Sequence, residues 1–179
     1  MLSCRGVAAC LALAVLAACA ANTPTTSRPG ANFGRAATAQ EVAAWDISVP
    51  PSGEGLPSGS GNAKQGEAVY LAKCQSCHGA KGVGKPADPL AGGIGSLASA
   101  NPLRTVGSFW PYATTLFDYT RRAMPVTNPL SLTNDEAYAV TAYLLHLNGI
   151  ISENDEMNAR TLPQVKMPNR DGFVDWSRK

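Results

Sequence analysis

The sequence predicts an all-α fold, and two observations support this prediction. Three segments have helical periodicity with capping signals at their ends, and no segment has a convincing strand pattern. The chain has 179 residues, enough for one modest domain with extensions. Its net charge is +2, and neither a run of Lys and Arg nor a ladder of stacking aromatics is present. Composition therefore excludes a nucleic-acid-binding footprint.

The first residues have the pattern of an export signal. Arg5 precedes an apolar run at 7–18, which is too short to span a bilayer because spanning needs about 20 apolar residues. The letters LAAC at 16–19 resemble the lipobox of bacterial lipoproteins, in which cleavage precedes a cysteine that is then lipidated. We therefore expect a lipoprotein signal peptide at 1–18 and lipidation at Cys19. An ordinary cleavage site at 18–20 is the alternative.

Residues 19–61 are expected to form a flexible spacer, because most of them are small or polar and many are Pro or Gly. Thr38 and Glu41 have the spacing of a capping box, which predicts a short helix at 39–45. Trp45 in this helix is a large apolar side chain that needs a surface to cover. It suggests that part of the spacer folds back onto the domain that follows.

Residues 62–150 form the predicted domain, because helical patterns begin here. Asn62 is a suitable N-cap for a helix of about three turns that leads into the motif CQSCH. A stretch rich in Gly and Pro at 79–102 predicts a loop. A second helix is expected at 111–123, with Pro111 in its first turn.

The third helix is the clearest, since both of its ends have a signal. Thr133 and Glu136 form a capping-box pattern at its start, and Asn148 and Gly149 predict its end. Residues 151–179 form a polar C-terminal extension. We expect the extension to pack on the domain, because it contains large apolar side chains: Met167, Phe173 and Trp176.

The motif CQSCH at 74–78 has three chemical interpretations. A thioredoxin-like redox pair requires a βαβ unit, which the helical pattern does not provide. A structural zinc site requires four ligands, and Cys74, Cys77, His78 and His146 are arithmetically sufficient. However, joint ligation by adjacent Cys77 and His78 is awkward. Covalent haem uses all three motif residues, with both thiols bonded to the porphyrin and the histidine beneath the iron.

We therefore predict one covalent haem c, held by Cys74 and Cys77 and ligated by His78. The haem also resolves a size problem. The predicted domain is small and has few large apolar side chains, so a buried porphyrin supplies much of its missing core.

Four side chains are candidates for the second axial ligand: Met124, His146, Met157 and Met167. Met124 is favoured, since it lies in the loop sequence RRAMP between two predicted helices and can be presented freely to iron. A soft thioether stabilises ferrous iron, and a six-coordinate iron has no room for substrate. This arrangement predicts an electron carrier. The alternative is a haem enzyme or sensor with an open iron position, such as a small peroxidase.

The motifs together resemble the class I c-type cytochromes. The resemblance lies in Gly66 and Tyr70 before the motif CQSCHG, in RRAMP, and in the final helix AYAVTAYLLHLNG. It implies a small helical fold in which the first and last helices cross, with Val140 and Tyr143 at the partner positions. It also implies that a proline carbonyl in the loop holds the ligand histidine, with Pro89 as the best match and Pro86 as a rival.

A narrower resemblance covers nearly the whole mature chain. The segments AAWDISVPPSGEGLPSGSG, TVGSFWPYATTLFDYTRRAMP, AYLLHLNGII and MPNRDGFV are similar to the cytochrome subunits of bacterial sulfane and sulfite dehydrogenases. This resemblance implies a redox partner with a molybdenum cofactor and a role in oxidising sulfur compounds. It also implies onward transfer to a terminal oxidase or another cytochrome. From the export signal and the lipobox we expect a periplasmic protein tethered to the membrane.

Three further side chains are candidates for the haem surroundings: Arg104, Trp110 and Tyr112. Each has a polar tip, and a buried propionate requires hydrogen-bond donors. Ordinary packing of the two aromatics and a solvated arginine is the alternative.

Overall fold

The computed structural model describes residues 34–174 and 176–178. The predicted signal peptide, Cys19 and the first part of the predicted spacer lie outside these residues. The contacts divide the chain into two compact units, Met1–Val42 and Ala43–Lys179. In the described part of the first unit, Arg35 forms an ion pair with Glu41.

Helix α1, Ala39–Trp45, has the predicted bounds. The Glu41 N–H donates to Thr38 Oγ1 at 3.2 Å, and the Thr38 N–H donates to the Glu41 carboxylate at 2.8 Å, as the capping box requires. The expectation that Trp45 covers the domain is wrong, because this side chain is 85% exposed. The contact is made four residues later by Val49, which is buried in the core.

Helix α2, Ala63–Lys73, and helix α5, Asn134–Leu147, cross and form the centre of the fold. Helix α5 begins with the predicted capping box of Thr133 and Glu136, and the predicted N-cap Asn62 of α2 forms a capping box with Gln65. Gly66 lies at the crossing, where a Cβ atom would overlap the backbone carbonyl of Ala139. The absence of a side chain therefore allows the two helices to approach closely.

Aromatic side chains fill the space around this crossing. The rings of Tyr70 and Tyr143 are 5.2 Å apart, and Tyr70 donates to the Gly79 carbonyl at 2.7 Å. Between α2 and the loop that follows lies α3, the short helix Gln75–His78.

Helix α4, Ala113–Ala123, packs against α5. The predicted helix began two residues earlier, at Pro111. The structure starts it later because Tyr112 has an extended backbone, with φ −139° and ψ 133°, and serves as the N-cap. The ring of Phe117 lies 4.4 Å from that of Tyr138, which joins α4 to the core.

Two short strands form a ladder that the sequence did not predict. Strand β1, Ser60–Gly61, pairs antiparallel with β2, Met157–Asn158. The pairing ties the end of the spacer to the C-terminal extension. Because the two strands lie far apart in the sequence, no local pattern predicts their pairing.

The C-terminal extension packs on the domain over most of its described length. Met157, Leu162 and Met167 are buried, and the Asn169 amide donates to the Phe109 carbonyl at 2.9 Å. Phe173 contacts the Phe109 ring at 5.3 Å but remains 53% exposed.

The spacer also differs from the expected flexible chain at its C-terminal end. Backbone groups of residues 57–60 bind α5 through Tyr138, Asn134 and Asp135, at 2.8–3.1 Å. These bonds fix the last part of the spacer onto the domain. Within the described residues, no helix combines the length and apolar composition needed to cross a bilayer.

Candidate functional site

The motif residues lie on one tight turn at the end of α2. The backbone N–H groups of Cys77 and His78 both donate to the Cys74 carbonyl, at 3.1 and 3.0 Å. Neither cysteine forms a disulfide; Cys74 is half-buried and Cys77 is exposed. Burial raises the pKa of the Cys74 thiol to about 11. The turn therefore presents two thiols and an imidazole close together.

These three side chains line a cavity of about 600 Å³. This volume lies within the range of ~300–1,000 Å³ that is usual for cofactor sites. The wall is mostly apolar and is completed by side chains of α4, α5 and the loops, among them Leu90, Val106, Trp110, Leu116, Tyr119, Met124, Val140 and Leu144. The crossing helices and α4 thus enclose a space beside the motif.

The imidazole of His78 is oriented by a loop carbonyl, but this carbonyl is not the expected one. Nδ1 lies 2.9 Å from the carbonyl oxygen of Asp88, so the assignment of this role to Pro89 is wrong. Pro89 follows Asp88, and a residue that precedes proline is restricted to extended backbone. The Ala87 N–H donates to the Cys77 carbonyl at 2.9 Å and holds this loop beside the motif.

Met124 is the one of the four candidate second ligands that lines this cavity. Met157 and Met167 are buried in the core instead, where they pack with apolar neighbours. His146 lines a separate cavity of about 190 Å³, and its Nδ1 lies 3.3 Å from the Ile151 carbonyl. The structure thus brings Met124 to the same cavity as the motif and leaves the other candidates elsewhere.

The backbone at Met124 explains how its side chain is presented. Met124 is the C-cap of α4, with its N–H bonded to the Thr120 carbonyl at 3.1 Å. Its φ of −114° and ψ of 146° are extended, so the chain leaves the helix at this residue. Pro125, which follows, cannot continue a helix.

Of the three proposed propionate partners, Trp110 lines the cavity, whereas Arg104 and Tyr112 are not among its lining residues. The guanidinium of Arg104 lies 5.5 Å from the centre of the Phe109 ring. The Tyr112 ring is covered by Arg170 at 4.2 Å. Both residues thus form cation–π contacts outside the lining of the cavity.

The sequence interpretation missed several residues of the wall. Tyr119 and Thr120 line the cavity from α4, and the Tyr119 ring lies 5.8 Å from Trp110. Their helical spacing from Leu116, three and four residues earlier, was the available signal. Lys73 also borders the cavity and forms a 2.6 Å ion pair with Glu136, which joins α2 to α5 beside Cys74.

The donor set of this cavity suits haem better than zinc. Within residues 34–174 and 176–178, no three His, Cys, Asp or Glu side chains group together in a way that could hold a metal ion. His146, which the zinc interpretation requires, faces a different cavity. An apolar cavity with two thiols, one imidazole and one thioether on its wall fits an iron porphyrin.

Comparisons with known proteins agree with this geometry. Residues 61–144 match the family model of cytochrome c oxidase, cbb3-type, subunit III. A chain in the crystal structure of the sulfane dehydrogenase SoxCD from Paracoccus pantotrophus is 40% identical to this chain, with a TM-score of 0.77. The match covers 83% of this chain and 73% of that chain. No curated protein sequence matches.

Proposed function

Because the chain belongs to the c-type cytochromes and is an electron-transfer protein, we propose that it accepts electrons from a molybdenum-containing sulfane or sulfite dehydrogenase. The similarity to a chain of a sulfane dehydrogenase, which extends over 73% of that chain, carries the proposal. Electrons then pass to the respiratory chain through a terminal oxidase or another cytochrome.

The cofactor of the family is covalently bound haem c. When bound, this group supplies an iron that alternates between ferric and ferrous states. In the proposed site, Cys74 and Cys77 would hold the porphyrin covalently, and His78 and Met124 would bind its iron. The Asp88 carbonyl accepts from His78 Nδ1, which fixes the ring orientation and leaves Nε2 for the iron.

The remaining wall residues adjust the site for electron transfer. Apolar side chains such as Val106, Leu116 and Leu144 exclude water from the cavity and lower its polarity. With Met124 as a second ligand, the iron would have no open coordination position for a substrate. Together these features favour a carrier over a haem enzyme with an open iron position.

We propose that the protein works in the periplasm at a membrane surface. The apolar leader directs export, and Cys19 carries the lipid. The spacer provides reach, since a flexible chain of n residues spans roughly 5–6 Å × √n. The end of the spacer, from residue 47, is fixed on the domain, so the flexible part is shorter than residues 19–61. Helix α1, Ala39–Trp45, lies within the remainder, so about 20 residues, 19–38, provide the flexible reach, which is about 25 Å.

The electron-transfer proposal is tested by mixing the ferric protein anaerobically with the purified molybdenum dehydrogenase subunit and its sulfur substrate. We expect reduction of the haem, observed in the visible spectrum, and none when the dehydrogenase is omitted. A protein that dithionite reduces but the dehydrogenase does not would contradict the proposed partner.

The membrane tether is tested by fractionation of cells that produce Cys19→Ser. We expect this variant in the soluble periplasm and the wild type in the membrane fraction. Cys10→Ser is the matched control, because Cys10 is removed with the leader and its replacement should leave membrane association unchanged. Equal release of wild type and Cys19→Ser would indicate an ordinary secreted cytochrome.

A further inference from the structure

One face of helix α4 binds a short segment from the end of the spacer. We call residues 47–51 the N-terminal strap. Three hydrogen bonds join it to the helix. Thr114 donates to the Pro51 carbonyl at 3.1 Å, the Val49 N–H donates to the Asp118 carboxylate at 2.8 Å, and Arg121 donates to the Ile47 carbonyl at 3.4 Å. The strap therefore runs antiparallel to α4.

The strap and the haem cavity lie on opposite sides of this helix. At about 100° per residue, Thr114, Asp118 and Arg121 fall within about 60° of one another. The cavity-lining residues of α4 are Leu116, Tyr119 and Thr120. Their mean direction is roughly opposite to that of the strap residues. Helix α4 is thus held between the strap and the cavity, and it ends directly at Met124.

Asp118 is the central residue of this contact. Its side chain is nearly buried, and its two oxygens accept from the Val49 N–H and from Arg122, at 2.5–2.9 Å. Burial raises the pKa of Asp118, but hydrogen bonds from Arg122 and Val49 outweigh burial and lower it below the ordinary value. The carboxylate therefore stays charged and binds the strap at neutral pH.

We propose that Asp118 is a positioning residue for the second axial ligand. By fixing the strap to α4, it holds the helix against the cavity and so keeps the Met124 thioether at the iron. The inference rests on the axial role of Met124 in the proposed function. It also implies that the segment leading to the membrane anchor and the iron ligand are attached to the same helix.

The test uses the ferric holoprotein and imidazole, a small ligand that enters only when the thioether leaves the iron. Asp118→Ala should increase the apparent affinity for imidazole by at least about tenfold, the change expected when a hydrogen bond to a charged group is lost. Asp118→Asn retains an oxygen acceptor for the Val49 N–H and should give an intermediate value. Unchanged affinity in Asp118→Ala would overturn the proposal.

A second variant removes the same hydrogen bond by a change in the strap. Val49→Pro removes the donor N–H, and Val49→Ala is its control because it retains the N–H while shortening the side chain. Val49→Pro should bind imidazole more tightly than Val49→Ala. Adding Asp118→Ala to Val49→Pro should have little further effect, because both changes remove the same hydrogen bond. Equal affinities for Val49→Pro and Val49→Ala would contradict the inference, even where Asp118→Ala does not accumulate.

Thr133→Ala separates positioning from general loss of stability. It removes the cap of α5, which is remote in sequence from the strap, and should lower stability without raising imidazole affinity. An affinity increase as large as that of Asp118→Ala would show that any destabilisation releases the ligand and would overturn the proposal. Met124→Ala distinguishes failure of this inference from failure of the proposed function. If its imidazole affinity equals that of the wild type, Met124 is not an iron ligand.

Discussion

The histidine side and the methionine side of the haem cavity are held by different kinds of contact. On the histidine side, the bonds that hold the imidazole and the motif turn join residues of one short stretch, 70–90. On the methionine side, Met124 follows a helix whose outer face is bound by residues 47–51. One ligand is therefore positioned by local sequence, and the other by contacts that are distant along the chain.

This difference has a consequence for the two ligands. The histidine side should withstand changes elsewhere in the molecule, because its geometry is built into a single turn and two proposed covalent bonds. The methionine side depends on the contacts between residues 47–51 and α4. We expect a protein in which these contacts are broken to lose the thioether ligand while it keeps the histidine.

The largest effect is expected when the two thiols proposed to bond the haem on the histidine side are removed. Cys74→Ser with Cys77→Ser removes both thiols, so the protein should fail to retain haem through a denaturing gel. Haem staining of the gel checks this, with the Cys10→Ser variant as a cysteine replacement outside the mature domain. Normal staining of the double variant would contradict covalent attachment at this motif.

A smaller effect is expected at the helix crossing, which supports both sides. Gly66→Ala would favour the helix by its intrinsic propensity, but the added Cβ overlaps the Ala139 carbonyl. We expect a loss of about 1–3 kcal/mol in the free energy of unfolding, measured by denaturant titration. Glu67→Ala, at the exposed neighbouring position, is the matched control and should be nearly neutral. Stabilisation by Gly66→Ala would mean that the helices do not cross at this residue.

The smallest effect concerns the ion pair between Lys73 and Glu136. The hydrogen bond from Lys73 and the Thr133 N–H lower the pKa of Glu136 in the folded protein. A lowered carboxyl pKa adds stability above the unfolded value of 4.5, and this stability is lost as the pH falls through the folded pKa. Lys73→Met should therefore lower the unfolding free energy at neutral pH by up to about 1 kcal/mol.

The pH dependence of that difference is the sharper measurement. Denaturation of wild type and Lys73→Met should give converging free energies as the pH is lowered below 4.5, because the Glu136 carboxyl becomes neutral in both proteins. A difference that stays constant with pH would show that Lys73 stabilises the crossing by packing alone.

The sequence predicted those parts of the fold that depend on short-range signals. The caps at Asn62 and Thr133 located α2 and α5, and the motif CQSCH located the turn that carries His78. These features follow from a few neighbouring residues, so a local pattern is sufficient.

Long-range contacts were the parts that could not be predicted. The acceptor at His78 is Asp88 instead of Pro89, since one residue of loop register decides which carbonyl faces the ring. Trp45 is exposed and Val49 is buried, although tryptophan is the larger apolar side chain. Asp118 bonds to a residue 69 positions earlier, and nothing in its own surroundings in the sequence indicates that partner.

The central claim is that iron is held by His78 from the motif and by Met124 from the end of α4. The ferric visible spectrum tests it most directly, because a bond between thioether sulfur and ferric iron gives an absorption band at the red edge. We predict this band in the wild type and in Met167→Ala, whose side chain is buried away from the cavity. In Met124→Ala the band should be absent and the reduction potential lower. Retention of the band in Met124→Ala would contradict the account.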